Sequence, residues 1–307
     1  MNVQPGVGRL GFGTGGLLRI GSARERQNVL AAAMACGITH FDTAPIYGFG
    51  EAERSIGRFL RRERNRLTLA TKFGLTPAPL AARLAPLQRV ARRAIRIFPA
   101  LRRAAVRNSG ALYNAPDFSP ASVRASLERS LRALRTDHVD FFLAHQASSA
   151  ALPSDAVIDL LEELRRAGKI VDYGVATEFE WLLPVLGARP RLAGIVQFDS
   201  ELTTGHVSSL SRTQHRLLIT YGFINRAIAV CRERLRQAPP EAAPLGQCDD
   251  ETLGGLLLRS AVLANPGGIT LMQSKSPARI ERNVRAASSA GDDERVRLLS
   301  SLFGPRR

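Results

Sequence analysis

A chain of 307 residues, 45% hydrophobic and 23% charged, has the composition of a globular protein in water, and no apolar run reaches the roughly 18 residues of a membrane helix. The three cysteines, Cys36, Cys231 and Cys248, are odd in number and lack C-x-x-C spacing, which argues against a disulfide framework and a zinc site. The net charge of +16 admits a nucleic acid, an anionic ligand or an acidic partner, although only Lys72, Lys169 and Lys275 among the 43 basic residues are lysines. The opening residues, MNVQPGVGRLGFG, show neither a basic n-region nor an apolar h-region, so a cytoplasmic location is expected.

Taken in chain order, a strand is expected at 9–12, then a glycine-rich loop and a helix over 22–36 that Gly37 would close. A strand at 38–42 leads through a loop to a helix over 51–62, and a third strand covers 67–71. After a long interruption at 75–118, the pair Ser119-Pro120 sets an N-cap hydroxyl before a proline and opens a helix over 121–135. Strands at 139–144 and 171–176 flank a helix over 155–167, which Gly168 would close. Strands at 195–198 and 217–220 alternate with helices over 178–186, 224–236 and 250–264. The last strand, 269–272, precedes a helix over 277–290 whose Ser276-Pro277 start repeats the earlier cap. Eight strands alternating with eight helices predict an α/β fold, a TIM (β/α)8 barrel forming a single domain over 1–307; an open doubly wound sheet is the alternative.

The interruption carries eight arginines and no acid between Leu80 and Arg107. Leu84, Leu87, Ala91, Ile95 and Phe98 recur at helical spacing, with Arg89, Arg92, Arg93 and Arg96 on the other face, so a basic amphipathic helix is expected. It reads as a lid helix with a solvated face, or else as a segment, 83–107, that docks on an acidic partner or surface. No aromatic residues interleave to favour nucleic acid.

Three motifs compete for the chemistry. Gly11-Phe-Gly13-Thr-Gly-Gly16 fits G-x-G-x-x-G, with Asp42 as a possible ribose acid. A dinucleotide fold needs a helix opening at the third glycine, whereas residues 17–21 intervene here and Asp42 lies 26 residues past Gly16. His40 and Asp42, two apart on one side of a strand, suggest a metal pair, but the other histidines, 138, 145, 206 and 215, supply no matching ligands, so no metal is expected. The third reading is proton transfer. A barrel gathers its functional groups at the C-terminal ends of its strands, which places Asp42, Tyr47, Lys72 and His145 on one rim. A buried ammonium from Lys72 would favour the Tyr47 phenolate and lower its pKa, Asp42 would hold the lysine charged, and His145 would orient a substrate oxygen.

The segments GFGTGG, HFDTAPIYGFGEAERSIGRFL, LATKFG, SLERSLRALRTDHVDFFLAHQ and SPARIERNV, in this order, resemble the successive signatures of the aldo-keto reductase superfamily. The resemblance implies a barrel that binds a nicotinamide dinucleotide without a Rossmann domain and transfers hydride to or from an aldehyde, ketone or sugar lactol. It implies Tyr47 as general acid or base, tuned by Lys72 and Asp42, with His145 positioning the carbonyl. By the same resemblance Gln197 bonds the nicotinamide carboxamide, Tyr221 stacks on its ring, and Gly13 and Thr14 line the cofactor. Ala176-Thr177 replaces the usual Ser-Asn pair, which shifts the carboxamide's contacts to Thr177 and Gln197. Lys275 and Ser276, followed by Arg279 and Asn283, resemble a phosphate-binding cluster shortened by two residues, so NADP(H) is favoured over NAD(H). A helix N-terminus at Pro277 would add amides and a positive dipole end. The family also includes channel-associated subunits, so a regulatory barrel acting through 83–107 stands as the alternative to an enzyme.

Overall fold

The computed structural model describes residues 9–60, 63–77, 114–200, 205–211, 217–222, 225–238, 240–289 and 293–303. Its strands are β1 (Arg9–Gly13), β2 (His40–Asp42), β3 (Thr68–Phe73), β4 (Val139–His145), β5 (Ile170–Ala176), β6 (Ile195–Asp199), β7 (Leu217–Tyr221) and β8 (Ile269–Met272). They close into one barrel in sequence order, every neighbouring pair parallel and β8 bonded back to β1. Closure excludes the open doubly wound alternative.

Outside the strands lie α1 (Ala23–Ala35), α2 (Glu51–Leu60), α3 (Pro120–Leu134), α4 (Asp155–Arg166), α5 (Phe179–Ala188), α6 (His206–Ser211), α7 (Asn225–Arg236), α8 (Ala243–Gly246), α9 (Asp250–Ala264), α10 (Pro277–Ser288) and α11 (Asp293–Phe303). Of the helix starts that carry side-chain caps, the one at Ser119 was expected. Ser22 and Glu25 form a reciprocal capping box on α1, and Ser119 accepts from Ser122 N ahead of Pro120. The Ser276-Pro277 start differs: Ser276 occupies the N-cap position without a side-chain cap bond, and Ser274 Oγ accepts from Ser276 N and donates to Ser276 O. Gly37 and Gly168 do close α1 and α4, with φ of 84° and 67°.

The period-two alternation of the strands sorts side chains into two cores. Leu143, Ala176, Ile195, Ile219, Ile269 and Leu271 point inward and fill the barrel, with Phe141, Leu217 and Tyr221 against them. Phe12, Phe41, Leu69, Phe73, Phe142, Val175, Val196 and Phe198 point outward and pack under the helices in the main core. A satellite core joins α7, α8, α9 and α11 through Cys231, Leu245, Leu253, Leu257, Val296, Leu299 and Phe303. The spacing of Val296, Leu299 and Phe303 is helical and was there to be read, so α11 was legible although not expected.

The expected amphipathic helix of the interruption lies outside the described residues. The ends of that interruption are described and meet. Asn114 N donates to Thr76 O, Asn114 Nδ2 donates to Thr76 Oγ1, and Asp117 N donates to Gly74 O.

Gly57 sets the fit between α2 and α3. A Cβ there would meet the Ala133 carbonyl oxygen and come within 2.7 Å and 2.8 Å of Leu134 C and Cα, all of them backbone atoms that cannot rotate away. Gly57→Ala is expected to destabilise the protein by about 1–3 kcal/mol through overpacking, measured as a fall in the urea unfolding midpoint at unchanged slope.

Candidate active site

Alternation along β3 turns Lys72 into the barrel and Thr71 outward, and the barrel closes water away from the lysine, which is 2% exposed. Asp42, at the end of β2, is 3% exposed and receives Lys72 Nζ on both oxygens at 2.8 Å. Thr43 O accepts from the same nitrogen at 2.8 Å, so the ammonium's donors are spent on residues 42 and 43. Gln197 comes in from β6, across the barrel, and its Nε2 donates to Asp42 Oδ2 at 2.9 Å. Burial pulls the Lys72 pKa down, and the charge and hydrogen bonds of Asp42 oppose the shift.

Tyr47 sits in the loop between β2 and α2. A turn from Ala44 O to Tyr47 N at 3.0 Å sets its direction, and three residues with positive φ, Gly48, Phe49 and Gly50, then reverse the chain into α2. The phenol ring stands edge-on to the His145 imidazole, with centroids 6.1 Å apart and planes at 86°, and Lys72 Nζ lies 5.2 Å from its centroid. Three neighbouring strand ends therefore converge as the sequence requires. The charge balance differs from expectation. The Tyr47 pKa is pushed up, first by burial and then by the negative charge of Asp42, because the Lys72 charge is already taken by Asp42. Burial, helped by Lys72, holds the His145 pKa well below the usual imidazole value, so the ring is neutral at neutral pH. Two neutral donors thus face one space.

The remaining residues fall into two groups. On the rim, Gln197 Oε1 is buried without a hydrogen-bond partner among the described residues, and so is His145 Nδ1. Tyr221 closes β7 and is partly buried, and its pKa is pushed up by burial and then by the charges of Asp199, Tyr47, Glu178 and Asp42, which places it in the same neighbourhood. Thr177 follows β5 but spends its hydroxyl hydrogen on Ala147 O at 2.7 Å, so it can only accept. Thr14 likewise donates to Asp42 O at 2.9 Å and serves to lock the glycine loop onto β2. Gly13 ends β1 and lies tight against Gln273, whose Cγ would be only 3.2 Å from an added Cβ.

At the start of α10, the second group, Lys275 and Arg279 are exposed and carry no ion pair among the described residues, with Ser276 and Asn283 partly buried beside them. Pro277 has no N–H, which leaves the Ala278 and Arg279 amides uncapped at the positive end of the helix.

Two sequence readings resolve here. The glycine loop runs into a 3-10 turn, Leu17–Arg19, with α1 opening only at Ala23, so its third glycine meets no helix. His40 Nδ1 bonds Thr68 Oγ1 at 2.9 Å and its ring packs on Phe141, while Asp42 is occupied by Lys72, so the two do not converge as a metal pair. One polar residue escaped the sequence reading. Gln273, the first residue after β8, lies over the loop. A Cβ on Gly16 would come within 2.8 Å of its Oε1, and one on Gly15 within 3.7 Å of both its Nε2 and Tyr47 Cζ. Its place at a strand's C-terminal end was the available signal. Asp140, inside the D-x-x-x-x-H pattern of β4, rivets the opposite end, accepting from Arg64 Nη2 and Leu69 N at 2.8 Å each.

Residues 9–182 match the Aldo/keto reductase family, more than half of the chain, and the chain belongs to that family. Among curated proteins it is similar to the aldo-keto reductase str7 of Strobilurus tenacellus, 31% identical over 181 residues that make up 55% of this chain and 42% of that protein. It is also similar to the 6-dehydroglucose reductase of Agrobacterium fabrum, 27% identical over 239 residues, 75% of this chain and 66% of that one. The match thus spans less than half the length of the first of these relatives. Among solved structures, an aldo-keto reductase from Bacillus halodurans in its holo form superposes with a TM-score of 0.73 at 18% identity, covering 98% of this chain and 95% of that one. One from Klebsiella pneumoniae in complex with NADPH does so at 0.64 and 21% identity, covering 97% and 92%.

Removing Asp42 leaves the buried ammonium alone, so Asp42→Ala is expected to cost about 3–5 kcal/mol at neutral pH in chemical denaturation. Because burial pushes the pKa of Tyr47, Tyr173 and Tyr221 upward, none of the three is expected to ionise below pH ~10 in the cofactor-free protein. A tyrosinate absorbance titration checks this: Tyr47→Phe should leave the signal below pH ~10 unchanged, and a loss there would contradict the charge balance described above.

Proposed function

We propose that this chain is an NAD(P)-dependent oxidoreductase that moves a hydride between nicotinamide and a carbonyl carbon, with Tyr47 as general acid in reduction and general base in oxidation. The observation that carries the reading is the convergence of Asp42, Lys72, Tyr47 and His145 at the ends of β2, β3 and β4, the face on which barrel enzymes build their sites.

The residues present fit the cofactor. Gln197 Oε1 offers a buried, unpartnered acceptor to a carboxamide N–H, and Tyr221 offers a ring at the same rim. Thr177 can accept beside them. When bound, the dinucleotide supplies or takes the hydride. The cluster of Lys275, Ser276, Arg279 and Asn283, with two open amides, supports a phosphate at α10 and favours NADP(H). Relatives point both ways on this choice: the yakc protein of Schizosaccharomyces pombe is named for NADP(+), and the methylglyoxal reductase of Escherichia coli for NADH.

The protein's own groups then do the following. His145, held neutral, donates an N–H to a carbonyl oxygen without competing as an acid. Tyr47, held as phenol, gives its proton to the oxygen as negative charge grows there. Lys72 fixes Asp42 and Thr43, and through them the wall of the pocket. The small carbonyl substrate is an aldehyde, ketone or sugar lactol, a class in keeping with relatives named 6-dehydroglucose reductase and D-threo-aldose 1-dehydrogenase.

The test is Tyr47→Phe, assayed on a panel of carbonyls and lactols with NADPH and NADH. Turnover is expected to fall at least ~100-fold, while quenching of protein fluorescence by NADPH survives. Turnover that persists in this variant sinks the assignment of Tyr47, and no quenching by either dinucleotide sinks the cofactor.

A further inference from the structure

The glycines of the G-x-G-x-x-G stretch open no dinucleotide-binding helix, so their cause lies elsewhere. Gly11 answers to the barrel, where a Cβ would come within 2.7 to 2.9 Å of Leu271, Ile269 and His40 side-chain atoms. Gly13 and Gly16 answer to one side chain. A Cβ on Gly13 would lie 3.2 Å from Gln273 Cγ and 3.6 Å from its Nε2, and one on Gly16 only 2.8 Å from its Oε1. Gly15, between them, would place a Cβ 3.7 Å from both Gln273 Nε2 and Tyr47 Cζ. Gln273 therefore lies stretched along the loop, from the last residue of β1 to the glycine that precedes the 3-10 turn, with the Tyr47 ring across Gly15.

A long polar side chain held along a loop gives up rotamer freedom, which a hydrogen bond would ordinarily offset. Gln273 is exposed, and among the described residues neither of its amide atoms has a hydrogen-bond partner. The N–H groups of Gly15 and Gly16 are in the same state, since the loop's bonds are made by Thr14 N to Asp42 O and by Leu17 N to Thr14 O. Three donors in one small region, Gln273 Nε2 and two backbone amides, thus stand open together.

Their place on the rim tells which acceptor suits them. Gln273 comes directly after β8, with Tyr47 on one side and Lys275, the first cation of the α10 cluster, two residues further on. A dinucleotide that reaches from Tyr47 to α10 has to cross this step, and its middle is the bridging diphosphate. Diphosphate oxygens accept and never donate, which matches a region that offers N–H groups.

We propose that Gln273 is a further cofactor-binding residue: seated on Gly13, Gly15 and Gly16, it donates its amide N–H to the bridging diphosphate, beside the amides of Gly15 and Gly16. This assignment rests on the dinucleotide of the proposed function and adds an uncharged contact between its two ends. The glycine loop then serves a phosphate through a side chain that follows β8, not through a helix end.

Because Gln273 is exposed, its variants are expected to keep the urea unfolding midpoint of the parent chain. The probes are NADPH, followed by quenching of protein fluorescence, and ADP-ribose, which keeps the diphosphate without the nicotinamide, followed by calorimetry. Gln273→Ala is expected to weaken both about 10-fold, and Gln273→Glu, which removes the donor and adds a like charge, about 10-fold further. With NADPH saturating, kcat is expected to change by less than about 2-fold. Gly16 has φ of −92° and ψ of −4°, open to alanine, and a Cβ there would meet nothing within 4 Å except the Gln273 amide. Gly16→Ala is therefore expected to weaken NADPH about 5-fold in the parent chain and not at all in the Gln273→Ala chain. Losses that simply add in the double variant overturn the proposal, as does an effect confined to the KM of the carbonyl. Parent protein that binds neither NADPH nor ADP-ribose overturns the proposed cofactor and this contact together. Parent binding that Gln273→Ala and Gln273→Glu leave unchanged overturns the contact alone.

Discussion

A lysine sealed inside a barrel has no water to solvate it, and the rest of this site follows from how that charge is met. Both oxygens of Asp42 and the carbonyl of Thr43 take the three hydrogens of the Lys72 ammonium at 2.8 Å each. Asp42 must then stand where β2 ends, Lys72 one residue short of the end of β3, and Gln197 opposite, where its amide nitrogen meets the same carboxylate. Moving any one of these by a single residue would reverse its side chain to the helix layer. The ion pair therefore depends on the register of three strands, and it fixes the loop that carries Tyr47.

The pair also sets the proton chemistry. Free lysine charge next to a phenol would have made Tyr47 acidic. Here the charge is consumed, so burial and Asp42 govern Tyr47, and burial governs His145. Both groups are held in their neutral, hydrogen-donating forms. That state suits delivery of a proton to an oxygen gaining electrons from a hydride. Below the polar rim the barrel is filled by Leu143, Ile195, Ile219, Ile269 and Leu271, which gives the site a dry floor and strengthens each interaction above it.

Particular residues show how much could be read in advance. The eight strands were legible to within one or two residues because each is a short apolar run bounded by turn residues, and their order closed the barrel. Asp42, Tyr47, Lys72 and His145 were legible because chemistry at a barrel rim comes from strand ends. The Lys72 effect on Tyr47 was misjudged, since proximity along the rim says nothing about which partner claims the ammonium. Ser276 was expected to cap α10, yet it stands at the N-cap position without a side-chain bond to the helix amides, a rotamer choice that spacing leaves open. The bonds of Thr177 and Thr14, whose hydroxyl hydrogens go to the Ala147 and Asp42 carbonyls, were not legible. Gln273 was passed over because it follows a strand without a motif.

By itself the sequence determined the alternation of strands and helices, the family, and the residue types available at the rim. Those are properties of local period and of chain order, which survive without knowing any distance. Only the tertiary structure decided the pairings. Which carboxylate holds Lys72, and which one Gln197 Nε2 meets, are contacts between residues 30 to 155 positions apart. Such contacts are settled by the closing of the barrel, because burial leaves each polar atom one feasible partner and makes the absence of that partner costly.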